Sequence, residues 1–238
     1  GICFSASSDE LAGTAFFNTY SFFQNTLTLI SNIAFTGLGA GDDFEATRWG
    51  PLGGFAAVSG DDNIIRVYGL PLNQCYFYSN VRLKQSSNTI YSDLCLTFTG
   101  ENTWDGRGAC IEFSPTATVL IAAESSLMFQ DITLKGLEGD NFALVDSSST
   151  LTLNNTIIQL ASDLILDQGK IDILNEVVIT GTGRVVYSSS IPLTIFSDSQ
   201  LIFDKNTTFR YEPINNSRTN LILQDQMALL AFNSASFS

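Results

Sequence analysis

Histidine is missing from the whole chain, and with it go Ser-His-Asp and Cys-His nucleophile systems and every metal site built on imidazole. Basic residues are scarce too: 11 Lys and Arg stand against 24 Asp and Glu, for a net charge of −13 and a pI near 4.1. Such a surface repels phosphate backbones and anionic lipid, so nucleic acid is not expected as a partner. Acidic polysaccharides are repelled as well unless a metal intervenes. No apolar run reaches the roughly 18 residues that a membrane helix needs, so no membrane span is expected in this chain. Neither a P-loop nor a dinucleotide fingerprint occurs, and no cofactor is expected. Charged residues make up only 15% against 45% hydrophobic ones, the balance of a folding chain and not of a disordered one. With 18 Phe and 7 Tyr, much of that apolar content favours strands.

The clearest organisation lies between Phe142 and Ile179, where one short pattern is written twice. An apolar step (Leu144, Val145) leads through a polar turn to an alternating strand (Leu151, Leu153), an Asn and a second apolar pair. The stretch from Leu164 to Val178 repeats it. Related blocks occur at Thr118–Ile121, Ser126–Leu134, Arg184–Tyr187, Leu193–Phe196, Gln200–Phe209 and Leu221–Phe232. Self-similarity at roughly 20 to 30 residues, built of short strands, marks a solenoid whose coils bury their inward faces on one another. An Asn or Asp recurs just after the alternating strand: Asp131, Asn154 or Asn155, Asn175, Asp204 and Asn233. Asx side chains accept left-handed backbone geometry and bond local amides, so a structural polar ladder along one corner is expected, with no ligand role.

Short β segments, Asx and Ser corners and coils of this length resemble the right-handed parallel β-helix superfamily shared by pectate lyases, autotransporter passengers and phage tailspikes. The resemblance covers residues 27–35 and 64–234 and is one of architecture. It implies an all-β fold, a single-stranded right-handed parallel β-helix; the hand comes from the superfamily and agrees with the general preference of parallel crossovers. The expected organisation is an N-terminal segment, 1–26, acting as a donor strand or cap, then a β-helix domain, 27–238. Two loop insertions are expected, one at 36–63, dense in glycine, and one at 99–109.

Four cysteines, Cys3, Cys75, Cys95 and Cys110, fit no CxxC metal or redox spacing and are candidates for one or two disulfides in the N-terminal half. The chain begins at Gly1 without Met, as after signal-peptide removal, so an extracellular or cell-surface location is expected. Glycoside hydrolysis needs only two carboxylates, and Asp42, Asp43, Asp61, Asp62, Glu101 and Asp105 could supply them. The Gly-His and paired-Asp motifs of polygalacturonase-like β-helices are absent, however, and the outward acids Asp146, Asp167, Asp172 and Glu176 lack the Lys and Arg that surround a pectate-lyase calcium cluster. No catalytic residue, no metal site and no enzyme are therefore expected. The Asp pairs at 42–43 and 61–62 read as solvated loop acids. Asn-x-Ser/Thr sequons stand at Asn154, Asn206 and Asn215.

Both extremities look adhesive. Met227–Phe232 is apolar and runs on to Phe237 with no charged cap, and the N-terminal segment carries Phe16, Phe17, Phe22 and Phe23. The expected function is an extracellular structural subunit whose partners are copies of itself, joined head-to-tail through Phe16, Phe17, Phe22, Phe23, Leu229, Leu230 and Phe232, by N-terminal strand donation. The alternative is a surface adhesin or a glycan-binding or glycan-cleaving β-helix, with Trp49 and Trp104 as the platform for surface glycans.

Overall fold

The structure, a computed structural model, describes the backbone of residues 2–9, 14–23, 26–36, 44–49, 55–59, 65–68 and 74–78. Side chains are described from residue 81 onward, save at 85–87, 92–94, 140 and 214–219. All regular elements among these residues are strands.

From Gln74 onward the chain is a parallel β-solenoid of about five turns. Backbone hydrogen bonds run from each coil to the next in parallel register. One column of pairs joins Leu127, Leu151, Ile171, Leu193 and Leu221; a second joins Phe129, Leu153, Ile173 and Ile195; a third joins Leu134, Ile158, Ile179, Phe203 and Phe232. Because side chains alternate across a strand, parallel register places every second residue of each coil over its counterpart in the coil below. Leu127, Phe129, Leu151, Leu153, Ile171, Ile173, Leu193 and Ile195 are all buried to within a few per cent. Each such ladder buries about 1.5–3 kcal/mol of apolar side chain per rung.

The three longest strands of the solenoid, Ser126–Lys135, Thr150–Leu160 and Lys170–Gly181, each turn a corner in mid-course. Asp131, Asn155 and Asn175 stand at those corners with φ of 50°, 50° and 53°. A left-handed residue shifts the alternation by one, so Leu127 and Phe129 point inward before the corner and Ile132 and Leu134 after it. Other L-residues resist this geometry by about 1–2 kcal/mol, while Asn and Asp tolerate it. At Gly181 (φ 100°) an added Cβ would lie 2.0 Å from the Leu160 carbonyl oxygen, so the close approach of two coils there requires glycine.

Several expectations change. Residues 27–35 do not join the solenoid: Ile2–Asp9, Thr14–Phe23 and Thr26–Thr36 form their own antiparallel sheet. Thr14–Phe23 is its central strand, bonded along both edges, so this Phe-rich segment is no free donor strand. The glycine-dense 36–63 stretch contains two antiparallel strands, Phe44–Trp49 and Phe55–Ser59, which continue to Ile65–Tyr68. Ile65–Tyr68 then pairs in parallel with Thr89–Ser92, and there the chain changes from hairpins to coils. The 99–109 loop is largely wall: Glu101–Asp105 pairs in parallel with Val81–Lys84 on one side and Ser126–Lys135 on the other. Its glycines, Gly100 before the strand and Gly106 and Gly108 after it, flank the strand and do not break it.

Two substitutions separate ladder from surface. Ile173→Ala, at a side chain 1% exposed between Leu153 and Ile195, is expected to cost about 2–5 kcal/mol in urea unfolding. Val145→Ala, at a side chain 55% exposed, is expected to stay within about 0.5 kcal/mol.

Candidate functional site

The coil at 221–237 carries the most exposed apolar surface among the described residues. Leu221–Leu223, Leu229–Phe232 and Ser236–Phe237 are the last strands of the three faces, and each is paired on one side only. Below them the inward residues Leu193, Leu201, Phe203 and Phe209 are buried, while Leu221, Leu230 and Phe232 in the final coil are only half-buried. Ile222, Leu223, Met227, Leu229 and Phe237 account for five of the eight large hydrophobic side chains exposed among the described residues, so the exposed apolar surface is concentrated on this coil. An aromatic stack opens onto it, with Phe232 lying 5.4 Å from Phe203, and Phe237 lying 5.7 Å from Phe232 and 5.8 Å from Phe209. Leu229, Leu230 and Phe232 thus come together at one end. The side chains of Phe16, Phe17, Phe22 and Phe23 lie outside the described residues.

The coil is nevertheless firmly folded. Asp225 closes its turn, accepting from the amides of Met227 (2.9 Å) and Ala228 (3.2 Å). The Ser197 side chain first, then those amides, hold its carboxyl below the usual range. Similar turns recur along the chain, with amide-to-carbonyl bonds from Ser149 to Asp146, Ser199 to Phe196 and Thr207 to Asp204. The residue ending each turn is a buried hydroxyl, at Ser149, Ser199 and Thr207. The Ser149 hydroxyl donates to the Ala122 carbonyl at 3.0 Å, and Ser199 Oγ accepts the Asn175 amide at 3.0 Å. Ser149 and Ser199 thus tie one coil to the next as the Asx residues do, while the Thr207 hydroxyl donates to the Asp204 carbonyl of its own turn at 2.6 Å. Their trace in the sequence is a Ser or Thr before each strand, hard to tell from ordinary turn composition.

The Asx corner is a bonded ladder over three coils. Asn155 Nδ2 donates to Asp131 Oδ1 at 2.6 Å, Gln130 Nε2 donates to Asp131 Oδ2 at 3.1 Å, and Asn175 Nδ2 donates to Asn154 Oδ1 at 2.7 Å. The Asn155 amide foremost, and Gln130 after it, keep Asp131 below the ordinary carboxylate range. Asp204 and Asn233 are not rungs. Asp204 opens a turn whose left-handed residue is Asn206, and at the last coil the positive φ falls on Ser234. Both strands there are short and end before the corner, so there is no mid-strand bend to fill.

Trp104 is not a sugar platform. It is 1% exposed and packed among Tyr91, Phe98, Phe113 and Phe129 at centroid distances of 5.4, 6.1, 6.1 and 5.8 Å, because Asn102 and Trp104 fall on the inward side in register with Leu127 and Phe129. The Trp49 side chain lies outside the described residues. Cys95 and Cys110 are free thiols, and the Cys95 sulfur lies 3.9 Å from the Thr97 hydroxyl, so the disulfide expectation fails for this pair. The side chains of Cys3 and Cys75, the acids at 42, 43, 61 and 62, and the sequon at Asn215 lie outside the described residues. Of the remaining acids, Asp105 is bonded to Arg82 at 3.0 Å and Asp172 to Lys170 at 2.8 Å, while Glu101 is exposed. Among the described residues no group of three or more side chains is placed to hold a metal ion.

Asp131, Asp146, Asp163 and Asp225 all have lowered carboxyl pKa values: Asn155, Ser148, Arg184 and Ser197 in turn are the first cause. A carboxylate that binds its proton less readily folded than unfolded lends stability above its unfolded pKa, about 4, and loses it as pH falls through the lower folded value. Acid also relieves repulsion in a chain of net charge −13, so the informative comparison is between variants. The fall in urea midpoint between about pH 6 and about pH 2.5 is expected to be smaller for Asp131→Asn than for the parent chain.

Set beside known proteins, the chain matches no family model, no curated protein and no solved structure, and its own coils and ends are the ground for a functional reading.

Proposed function

We propose that this chain is an extracellular structural protein of the right-handed parallel β-helix type, whose solenoid stacks end to end with further copies of itself into a filament or surface fibre. The observation that carries the reading is the final coil, where unpaired strand edges and exposed Ile222, Leu223, Met227, Leu229 and Phe237 coincide. A flat apolar sheet edge left open is a template for a further strand.

Topology supports a copy of the same chain as the occupant. The largest sheet has Leu221–Leu223 and Leu229–Phe232 at one end and Phe44–Trp49 at the other. Phe44–Trp49 is antiparallel to Phe55–Ser59, which is antiparallel to Ile65–Tyr68, so two reversals return it to the direction of the wall strands. One copy's Phe44–Trp49 edge laid on the next copy's final coil would continue the sheet in parallel sense. Such a contact joins two different surfaces, and it grows without limit when the rotation does not close. Strand addition therefore passes from the Phe-rich segment, whose edges are occupied, to this outer edge.

The opposing force is charge. A subunit with a net charge of −13 repels its copies, and salt screens that repulsion over about 10 Å at 0.1 M. Burying the five side chains contributes about 1.5–3 kcal/mol each at full burial, against an association cost of about 4–15 kcal/mol, so contact forms in salt and at high protein concentration.

The glycan-binding alternative loses Trp104 to the core and retains a groove on the solenoid's flank.

Electron microscopy with light scattering tests the stacking. The parent chain is expected to form fibres one subunit wide as salt rises from about 10 mM to about 500 mM, and Leu229→Lys with Met227→Lys is expected to remain monomeric while keeping its circular dichroism. Monomers of the parent chain at every salt and protein concentration would overturn the proposal.

A further inference from the structure

Of the three Asn-x-Ser/Thr sequons, the structure describes two, and it places them in opposite settings. Asn154 lies in the middle of Thr150–Leu160, a strand bonded to Ser126–Lys135 on one side and to Lys170–Gly181 on the other. Its Oδ1 accepts from Asn175 Nδ2 at 2.7 Å. The threonine of that sequon, Thr156, is 1% exposed, and its hydroxyl donates to the Phe129 carbonyl at 3.2 Å and to the Asn154 carbonyl at 3.1 Å. Asn206 stands instead in the turn between Gln200–Phe203 and Thr208–Tyr211, exposed, with a left-handed φ of 69°. That turn is closed by the Thr207 amide (3.2 Å) and hydroxyl (2.6 Å), both donating to the Asp204 carbonyl, and neither bond uses the Asn206 side chain. The threonine of this sequon, Thr208, is half-buried on the outward side, since its neighbour Phe209 points into the core.

We propose that Asn206 is a covalent N-glycan acceptor in the folded chain and that Asn154 is not. The proposal rests on the extracellular location in the reading above and not on the stacking of copies. A sequon is used only where a transferase can take hold of the asparagine amide and the hydroxyl two residues on together. At Asn206 the side-chain amide nitrogen attacks C1 of a sugar carried on a polyprenyl pyrophosphate. A C–N bond forms, the C–O bond to the pyrophosphate breaks, the lipid pyrophosphate leaves with that electron pair, and the amide gives up one proton.

The cost of local opening decides between the two sites. Presenting Asn154 with Thr156 means unzipping a strand bonded along both edges and drawing its buried neighbours Leu153 and Ile158 out of the core, an opening close in cost to unfolding the whole domain. A turn tip on the surface opens far more readily. Charge points the same way: Asp204 precedes Asn206 by two residues, where Thr152 precedes Asn154, so a basic transferase side chain finds a carboxylate only at the turn. Space does as well. The neighbouring turns carry small residues, Thr182 and Gly183 in the coil before and Ser234 in the coil after, so a first sugar on Asn206 meets no bulky side chain along the axis.

The test uses the intact chain with Asn215→Gln, kept monomeric in about 10 mM salt, and a polyprenyl-pyrophosphate oligosaccharide as donor. The enzyme is a single-subunit oligosaccharyltransferase that modifies the free peptides 150–160 and 202–210. Mass spectrometry of the intact chain and of its peptides reads the product. The folded chain is expected to gain one glycan, on Asn206, at least about tenfold faster than on Asn154. Asn206→Gly, which suits the left-handed φ, and Thr208→Val are each expected to abolish that gain with circular dichroism unchanged. The proposal is overturned if the folded chain stays unmodified, or if Asn154 is modified at a rate within tenfold of Asn206. Because transfer is read on monomers, a chain that takes the glycan yet never forms fibres would sink the stacking of copies and leave this site standing.

Discussion

The parallel stacking of one coil on the next is the constraint from which the rest follows. Once backbone hydrogen bonds fix residue over residue, side chains of one kind must form columns, and each column has to be internally compatible. Leucine, isoleucine and valine satisfy this on the inward side from Leu127 to Leu193. Polar columns need internal hydrogen bonds, which is what the bonds between Asn155 and Asp131 and between Asn175 and Asn154 provide. Buried hydroxyls at Ser149 and Ser199 do the same at the turns. The same constraint leaves the strands of the coil at 221–237 bonded on one side only.

Composition and architecture support each other here. A solenoid exposes long flanks for its volume, yet only 15% of the residues are charged. The deficit is met by Thr, Ser and Asn on outward positions and by short ion pairs between coils, such as Arg184 with Asp163, whose Nε lies 2.9 Å from Oδ2. Such exposed pairs contribute about 1 kcal/mol or less, so cohesion rests on the columns inside. Aromatics are placed unevenly: Trp104 and its ring neighbours fill one part of the core, Phe203, Phe209, Phe232 and Phe237 the other, and aliphatic rungs lie between them.

The parallel coils were legible because Leu151, Leu153, Ile171 and Ile173 repeat with period two inside a longer period, a pattern that few other folds produce. The Asx corner was legible at Asp131, Asn155 and Asn175 because a left-handed residue in mid-strand needs a side chain that tolerates it. Asp204 and Asn233 misled because composition does not reveal whether a strand continues past the corner or stops before it. Trp104 misled because Gly100 and Gly106 made a wall strand look like a loop, and a tryptophan between glycines reads as exposed. Thr26–Thr36 alternates like a coil strand, and only its hydrogen-bonding partners, antiparallel ones, show the difference. The flank groove left no local signal, since its lining is drawn from four separate coils.

Amide hydrogen exchange at increasing protein concentration in about 0.5 M salt tests the stacking of copies most directly. Protection is expected to rise at Leu221–Leu223, at Leu229–Phe232 and at Phe44–Trp49 together, while the central strand Thr150–Leu160 stays unchanged. Exchange at those edges that is independent of concentration would contradict it.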